Sequence, residues 1–158
     1  MEGLSINYID STNNDVVVTY TPSSLVRSYS YKIIKNNEYG NPININSNTP
    51  VDITLTETGV YKIEITNIIN GVSNVLTSGE YKIDKEAPII NIKEKTFKIS
   101  ENEEIDLSNN ITASDIVDGD LTNNIKSNIN ELDFSIEGIK KIEYSVSDNA
   151  GNIASPSP

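Results

Sequence analysis

Apolar and polar residues alternate with a period of two at many places along the chain, and no long stretch keeps the 3.6-residue period of an amphipathic helix. Short strands separated by turn-forming pairs such as Asn36-Asn37 and Asn70-Gly71 predict an all-β fold built of β-sandwiches. In the first half the predicted strands are 4–8 (LSINY), 15–20 (DVVVTY), 29–35 (YSYKIIK), 51–56 (VDITLT), 60–67 (VYKIEITN) and 79–84 (GEYKID).

One segment of the chain occurs twice. Residues 52–66 (DITLTETGVYKIEIT) align without gaps to residues 131–145 (ELDFSIEGIKKIEYS), so that Gly59 matches Gly138. Each copy predicts a strand, a corner at which the glycine takes a positive φ, and a second strand with one buried face. Because the apolar phasing also matches, the repeat predicts two homologous domains. The predicted buried residues are Tyr61, Ile63 and Ile65 in the first copy and Ile142, Tyr144 and Val146 in the second.

The repeat places a domain boundary after residue 85, which predicts a first domain over 1–85 and a second over 86–158. Pro88 favours an extended residue before it and donates no ladder hydrogen bond, so it suits a short, stiff connection into an edge strand at 89–92. Few residues follow Val146, so we expect the final strand of the second domain to be short or truncated.

The composition removes several classes of chemistry. The chain has no cysteine and no histidine, which excludes disulfides, thiolate chemistry and imidazole-based catalysis or metal binding. It also has no tryptophan, the residue most typical of an aromatic sugar-binding platform. The formal charge of −11 would repel nucleic acid and anionic membrane surfaces. We therefore expect no nucleic-acid partner. Catalysis by Asp, Glu, Tyr or Lys is still chemically possible, but a surface loop seldom desolvates a carboxylate enough for paired-acid catalysis, so we expect no catalytic residues.

The chain contains no apolar run that approaches the roughly eighteen residues of a membrane span, so we expect no membrane insertion. Met1-Glu2-Gly3 leads directly into strand-like sequence, so we expect this chain to lack a signal peptide and an anchor. If the parent protein is secreted, we expect this chain to be an internal fragment of it.

The second half carries a set of short motifs. They are Ala113-Ser114-Asp115, Asp118-Gly119-Asp120-Leu121-Thr122, Ile125, Gly138, Tyr144-Ser145-Val146-Ser147-Asp148 and Asn149-Ala150-Gly151-Asn152. Over residues 86–154 this set resembles the repeated bacterial Ig-like modules of Gram-positive surface proteins. The first half resembles a more divergent Ig-like or fibronectin-III-like neighbour. The fold class predicted is therefore two tandem Ig-like (immunoglobulin/fibronectin-III-like) β-sandwich domains.

The resemblance implies an extracellular location, on the cell surface or secreted, and a non-catalytic role as a structural spacer that positions an adhesive or catalytic neighbour. An adhesin module that binds a host surface protein or glycan is an alternative. An accessory domain of a secreted glycoside hydrolase or phage tail protein is another. We expect a monomer whose partners are the neighbouring domains of the same polypeptide.

Clustered carboxylates suggest one candidate site. Asp115, Asp118 and Asp120 lie close together, and Asp148 could join them from the end of a later strand. Calcium takes six to eight oxygen ligands, so these four residues are a candidate calcium site, although no cofactor is required. Asp84 and Glu86 are a second candidate at the domain junction. The alternative, which we favour, is that Asp118-Gly119-Asp120 is a turn.

Tyrosines allow two further predictions. Tyr61 and Tyr144 occupy buried positions, and one or both could form the corner hydrogen bond found in Ig domains. An exposed cluster of Tyr29, Tyr31 and Tyr39 could stack on a sugar or a protein, but packing in the core and at strand edges is the favoured interpretation.

Overall fold

The structure is a computed structural model that describes residues 3–6, 11–101 and 103–155, with the backbone alone at Ser5 and Ile6. The described residues form strands with two short 3-10 turns, so the prediction of an all-β fold is confirmed. The chain divides into two compact units, Met1–Lys85 (unit 1) and Glu86–Pro158 (unit 2).

Unit 1 contains two sheets. One sheet has the order β1-β3-β7. The other has the order β2-β10-β8-β4-β5, with β6 also paired to β4 and β9 to β8, and β2 runs parallel to β10. The strands are β1 (Leu4–Ile6), β2 (Ser11–Thr12), β3 (Val16–Tyr20), β4 (Val26–Lys35), β5 (Glu38–Tyr39), β6 (Ile43–Ile45), β7 (Val51–Leu55), β8 (Gly59–Ile69), β9 (Val72–Thr77) and β10 (Tyr81–Ile83).

Both turn-forming pairs close hairpins in unit 1. Asn36 and Asn37 join β4 to β5 with φ of 51° and 67°, and Asn70-Gly71 join β8 to β9 with φ of 51° and 77°. Positive φ at both central residues is the type I′ turn, whose twist matches that of the flanking strands. Asparagine and glycine adopt this conformation more readily than other residues, which explains why the turns form here.

The core of unit 1 lies between the two sheets. Alternate residues of β3 and β7 face alternate residues of β4 and β8, and the period-two pattern therefore becomes one buried cluster. Tyr20 of β3 lies edge-on to Tyr29 of β4, with ring centroids 4.9 Å apart. The buried cluster comprises Val16, Val18, Tyr20, Val26, Tyr29, Ile53, Leu55, Tyr61, Ile63, Ile65 and Ile83.

The predicted strands of unit 1 are present, with shifts of one to three residues at most ends. Residues 7 and 8 of the first predicted strand lie outside the described residues. The sequence prediction missed β2, β5, β6 and β9. Three of these strands are only two or three residues long, and β9 has exposed apolar residues on both faces, so it shows no alternation.

Unit 2 has shorter elements and a smaller core. Its sheets have the orders β11-β12-β13 and β14-β15-β16. Ala113, Leu121 and Val146 form the buried cluster, against which Ile90 and Ile125 pack. The strands are β11 (Ile89–Ile92), β12 (Ile111–Asp115), β13 (Gly119–Asp120), β14 (Lys126–Ser127), β15 (Tyr144–Ser147) and β16 (Ile153–Ala154), with 3-10 turns at Thr122–Asn124 and Ile129–Glu131. The predicted edge strand at 89–92 is confirmed, and β16 has only two residues.

The two copies of the repeat differ in structure, which corrects the strand prediction for the second copy. Residues 52–66 form most of β7, the corner and most of β8, whereas residues 132–143 contain no strand. The Oδ1 atom of Asp133 accepts hydrogen bonds from both the N–H (2.9 Å) and the hydroxyl (2.6 Å) of Ser135. Such a local bond offers the backbone an alternative to a ladder. In the first copy the matching residues are Thr54 and Thr56, and Thr54 lies in β7.

The two corner glycines have different roles. Gly138 has a φ of 138°, as predicted. Gly59 does not have a positive φ, so the prediction is wrong there. A Cβ atom at Gly59 would lie 3.0 Å from Cε of Lys35 and 3.4 Å from Oδ1 of Asn36. Gly59 therefore serves close packing of the corner against β4 and its turn.

Candidate functional site

Asp115 is the last residue of β12, and its carboxylate organises the turn that follows. Its Oδ1 atom accepts hydrogen bonds from the N–H groups of Val117 (2.7 Å) and Asp118 (2.9 Å). Gly119, with a φ of 75°, then begins β13 opposite Asp115. The hairpin turn covers residues 116–118, and Gly119 and Asp120 already pair in β13, so the turn favoured at 118–120 is present but lies two residues earlier. The Oδ2 atom of Asp115 is buried and has no hydrogen-bond partner among the described residues.

Asp118 connects this turn to the loop between β15 and β16. Its Oδ2 atom accepts the N–H of Asn149 at 2.7 Å, and its Oδ1 atom accepts the side-chain amide of Asn149 at 2.9 Å. Both carboxylate oxygens are therefore used to hold two loops of unit 2 together. This contact joins residues 31 positions apart in the chain, so no local sequence pattern predicted it.

Asp120 forms a local turn with Thr122. Its Oδ1 atom accepts the N–H (2.9 Å) and the hydroxyl (2.6 Å) of Thr122, and these two bonds lower the pKa of Asp120. Asp106 with Ser108 and Asp133 with Ser135 have the same geometry and the same direction of pKa shift. All three turns share the pattern Asp-x-Ser/Thr, with Leu or Phe in the middle. This pattern is visible in the sequence and could have predicted the turns.

Asp148 is buried after the end of β15 and closes the loop to β16. Its Oδ1 atom accepts the N–H of Asn152 at 2.9 Å, and its Oδ2 atom accepts the side-chain amide of Asn152 at 2.7 Å. Its own N–H donates to the carbonyl oxygen of Asn152 at 3.1 Å. Asp148 therefore holds its own loop, as does Asp115 in the first hairpin.

The arrangement limits what these acids can do chemically. A carboxylate oxygen of Asp115 lies within 4.8 Å of a carboxylate oxygen of Asp118. Asp120 and Asp148 are not part of this cluster of carboxylates. Within unit 2 this cluster contributes two carboxylates, and calcium takes six to eight oxygen ligands. These contacts do not test calcium binding, which stays a prediction. A general acid needs a raised pKa, and the pKa of Asp120 is lowered.

The two residues predicted at the junction are described in their own units. Asp84, in unit 1, follows β10 and is fully buried, and its N–H donates to the carbonyl oxygen of Thr12 at 2.8 Å. Glu86, in unit 2, is exposed. The calcium prediction for this pair is not tested by these contacts.

The tyrosines predicted as a cluster do not form an exposed patch. Tyr29 is buried and donates its hydroxyl to the carbonyl oxygen of Thr49, and Tyr31 packs against the same core. Only Tyr39, which is 68% exposed, is available to a ligand. Burial, with Tyr20 and Tyr31 nearby, raises the pKa of Tyr29. The favoured interpretation, packing in the core, is therefore confirmed for Tyr29 and Tyr31.

Tyr61 makes the corner hydrogen bond predicted from the sequence. Its hydroxyl donates to the carbonyl oxygen of Glu57 at 2.9 Å, in the connection between β7 and β8. The Lys35 side chain forms an ion pair with Glu57 and lies 5.8 Å from the Tyr61 ring centroid, so three side chains converge at this corner.

Comparison of the chain with protein-family models, with curated proteins and with solved structures gives no match. Within the part of the chain that the structure describes, no helix has the length and apolar character of a membrane span.

Proposed function

We propose that the chain is a non-catalytic structural module of a larger extracellular bacterial protein, and that its two units act as spacers that position an adhesive or catalytic neighbour. One observation carries the proposal. The four acids that most resemble a site, Asp115, Asp118, Asp120 and Asp148, accept hydrogen bonds from loop backbones and from Asn and Thr side chains. Carboxylates used in this way stabilise loops, which is what a spacer requires.

The Ig-like interpretation of unit 1 has two supports. Sheets of the orders β1-β3-β7 and β10-β8-β4 match the strand sets A-B-E and G-F-C of an Ig-type sandwich, with β2 beside β10 as a second part of strand A. The bond from Tyr61 to Glu57 has the position of the tyrosine corner at the start of strand F. For unit 2 the proposal rests on the sequence motifs.

Distance measurements test the spacer proposal. The chain has no cysteine, so one cysteine added at each end can be labelled for single-molecule energy transfer. A flexible Gly/Ser chain of the same length would have a broad distribution with a root-mean-square separation of about 63–75 Å. We expect a much narrower distribution, because each unit is folded and the connection at 85–88 is short and contains Pro88.

A variant with a flexible Gly/Ser insertion after Lys85 is the matched control, and we expect it to broaden the distribution without unfolding either unit. If the unmodified chain already gives a distribution as broad as that of the Gly/Ser chain, it cannot hold its neighbours at a defined distance and the proposal is wrong.

A further inference from the structure

The strand β9 (Val72–Thr77) is an exposed edge of the larger sheet in unit 1. It pairs with β8 on one side, and no described residue pairs with its other side. Val72 is 60% exposed and Val75 is 62% exposed. A strand in this position presents a row of unpaired N–H and C=O groups, and these recognise another extended backbone.

The register of the hairpin identifies which backbone groups face outward. Ile69 and Val72 flank the two-residue turn, and the N–H of Ser78 donates to the carbonyl oxygen of Ile63 at 2.9 Å. Hydrogen-bonded and non-hydrogen-bonded pairs alternate along an antiparallel ladder, so Val72, Asn74 and Leu76 bond to β8. The N–H and C=O groups of Ser73, Val75 and Thr77 therefore point away from the sheet.

β9 lacks the features that normally protect an edge. Its sequence, VSNVLT, contains no charged residue, no proline and no glycine. The other edge strands described in unit 1 are shorter or carry a charge. β1, β2, β5 and β6 are only two or three residues long, and β7 follows Pro50 and carries Asp52 at an exposed position. Among the described edge strands of unit 1, β9 is thus the one best suited to pairing.

We propose that β9 is a self-association edge, on which β9 of a second copy of this chain pairs antiparallel about a two-fold axis at Val75. The outward-facing N–H and C=O groups of residues 73, 75 and 77 are arranged symmetrically about Val75. In the proposed register Val75 therefore pairs with Val75 of the second copy, and Ser73 pairs with Thr77 of the second copy. This register forms about six main-chain hydrogen bonds. It continues the seven-stranded sheet of unit 1 into the second copy.

A second copy fits the edge better than a charged segment of another protein. β9 offers no ionisable side chain with which to recognise such a segment, whereas self-pairing places no like charges opposite each other. Unit 1 also carries nine acidic and six basic residues, against fourteen acidic and six basic residues in unit 2. The edge therefore lies in the less charged half of the chain, and the proposed pairing differs from the monomer that the family resemblance implied.

Cysteine substitutions test the register directly, because the chain has no cysteine of its own. In the proposed pair the Cα atoms of the two Val75 residues are about 5.5 Å apart, within the range that a disulfide spans. We expect V75C to form a disulfide-linked dimer under mild oxidation. S73C alone should not, because two Ser73 residues would be about 14 Å apart. A mixture of S73C and T77C should form the mixed dimer.

Sedimentation of the full chain tests the association itself. We expect the mass to rise with concentration above 17.4 kDa toward that of a dimer, and more readily in 0.5 M NaCl, where repulsion between copies of charge −11 is screened. V75P removes an outward N–H without removing a bond to β8, so the dimer dissociation constant should rise at least about fivefold. V75K should also weaken pairing, by placing like charges together.

I43K is the matched control. Ile43 is an exposed apolar residue of β6, which pairs with β4 at the opposite edge of the same sheet. We expect I43K to associate as the unmodified chain does. The proposal is wrong if the chain remains monomeric at millimolar concentration and in high salt, if V75P and V75K associate as strongly as the unmodified chain, or if S73C cross-links as efficiently as V75C. Association that weakens with salt would also contradict the proposal, because screening should favour pairing between two copies of charge −11.

Discussion

Unit 1 and unit 2 are similar in length but are stabilised in different ways. Unit 1 has strands of up to eleven residues and a buried cluster of eleven side chains. Among the described residues of unit 2 no strand exceeds five residues, and the buried cluster has three side chains. Hydrogen bonds from backbone and side-chain groups to Asp115, Asp118, Asp120 and Asp148 hold its loops. Burial of apolar surface dominates the first unit, and local polar bonds contribute relatively more to the second.

The largest expected effect comes from the core of unit 1. Ile63 is fully buried, so I63A should reduce the free energy of unfolding of unit 1 by about 2–5 kcal/mol. V146A, in the smaller cluster of unit 2, should cost less, about 1–2 kcal/mol, because fewer methyl groups are removed. Urea unfolding followed by tyrosine fluorescence reports mainly on unit 1, which contains seven of the eight tyrosines.

Hydrogen exchange followed by mass spectrometry assigns each loss to a unit. I139A is the control. The Ile139 side chain is fully exposed, so truncating it should change the free energy of unfolding of neither unit. Equal losses for I63A and V146A would contradict the difference between the two cores.

A buried hydrogen bond across the sandwich should have the next largest effect. The side-chain amide of Asn67 on β8 donates to the hydroxyl of Tyr20 on β3 at 3.0 Å, and both residues are buried. Y20F leaves the amide without this partner, so we expect a loss of about 1–3 kcal/mol in urea unfolding. The double variant Y20F/N67L removes both partners and should be more stable than Y20F. A double variant less stable than Y20F would show that packing around Asn67, not this bond, is what matters.

The sequence predicted unit 1 well because its stability comes from features that a sequence displays. Alternation in β3 and β8 follows from one face being buried, and the Asn36-Asn37 and Asn70-Gly71 turns follow from backbone conformation. β9 was missed because five of its six residues are exposed and Leu76 alone packs against the core, so burial imposes no period-two pattern on it.

Unit 2 was predicted less well because local bonds override its apolar pattern. Residues 132–136 carry the alternation of a strand, yet Asp133 binds Ser135 and a turn forms. The candidate site likewise combines features that the sequence predicts with features that it does not. The turn after Asp115 could be predicted from adjacent residues, whereas the bonds from Asn149 to Asp118 depend on tertiary structure.

The corner of unit 1 gives a smaller effect. Y61F removes the hydrogen bond from the Tyr61 hydroxyl to Glu57 and retains the ring, so the expected loss is about 0.5–1.5 kcal/mol. Y39F is the matched control, since Tyr39 is exposed and should contribute almost nothing. Thermal unfolding of the two variants measures the difference. Equal melting temperatures would mean that the corner bond does not help to stabilise unit 1.

Acid should act on unit 2 more than on unit 1. Hydrogen bonds from Ser or Thr lower the pKa of Asp106, Asp120 and Asp133 in folded unit 2. In unit 1 the side-chain bond from Lys35 lowers the pKa of Glu57. With a lowered folded pKa, the unfolded chain takes up protons first as the pH falls. The stabilisation is therefore present above about pH 4 and is lost as the pH falls below that value.

The triple variant D106N/D120N/D133N tests the acid effect. It should lose less stability between pH 5 and pH 2.5 than the unmodified chain, as measured by hydrogen exchange in unit 2, because three groups no longer titrate. E137Q is the control, since Glu137 is an exposed acid outside these turns. If the triple variant and the unmodified chain show the same acid sensitivity, then the Asp-x-Ser/Thr turns do not stabilise unit 2.

Calcium should have the smallest effect on thermal stability. It tests whether the hydrogen bonds of the loops, and not a bound ion, compensate for the small core of unit 2. Asp118 already accepts two hydrogen bonds from Asn149, and Asp148 accepts two from Asn152, so an ion would have to displace them. We therefore expect the melting temperature to be the same in EDTA and in calcium. Binding at a hundredfold excess over the dissociation constant would instead stabilise by about 2.7 kcal/mol. A shift of that size, abolished by D118N, would mean that an ion and not the loop bonds compensates for the small core of unit 2.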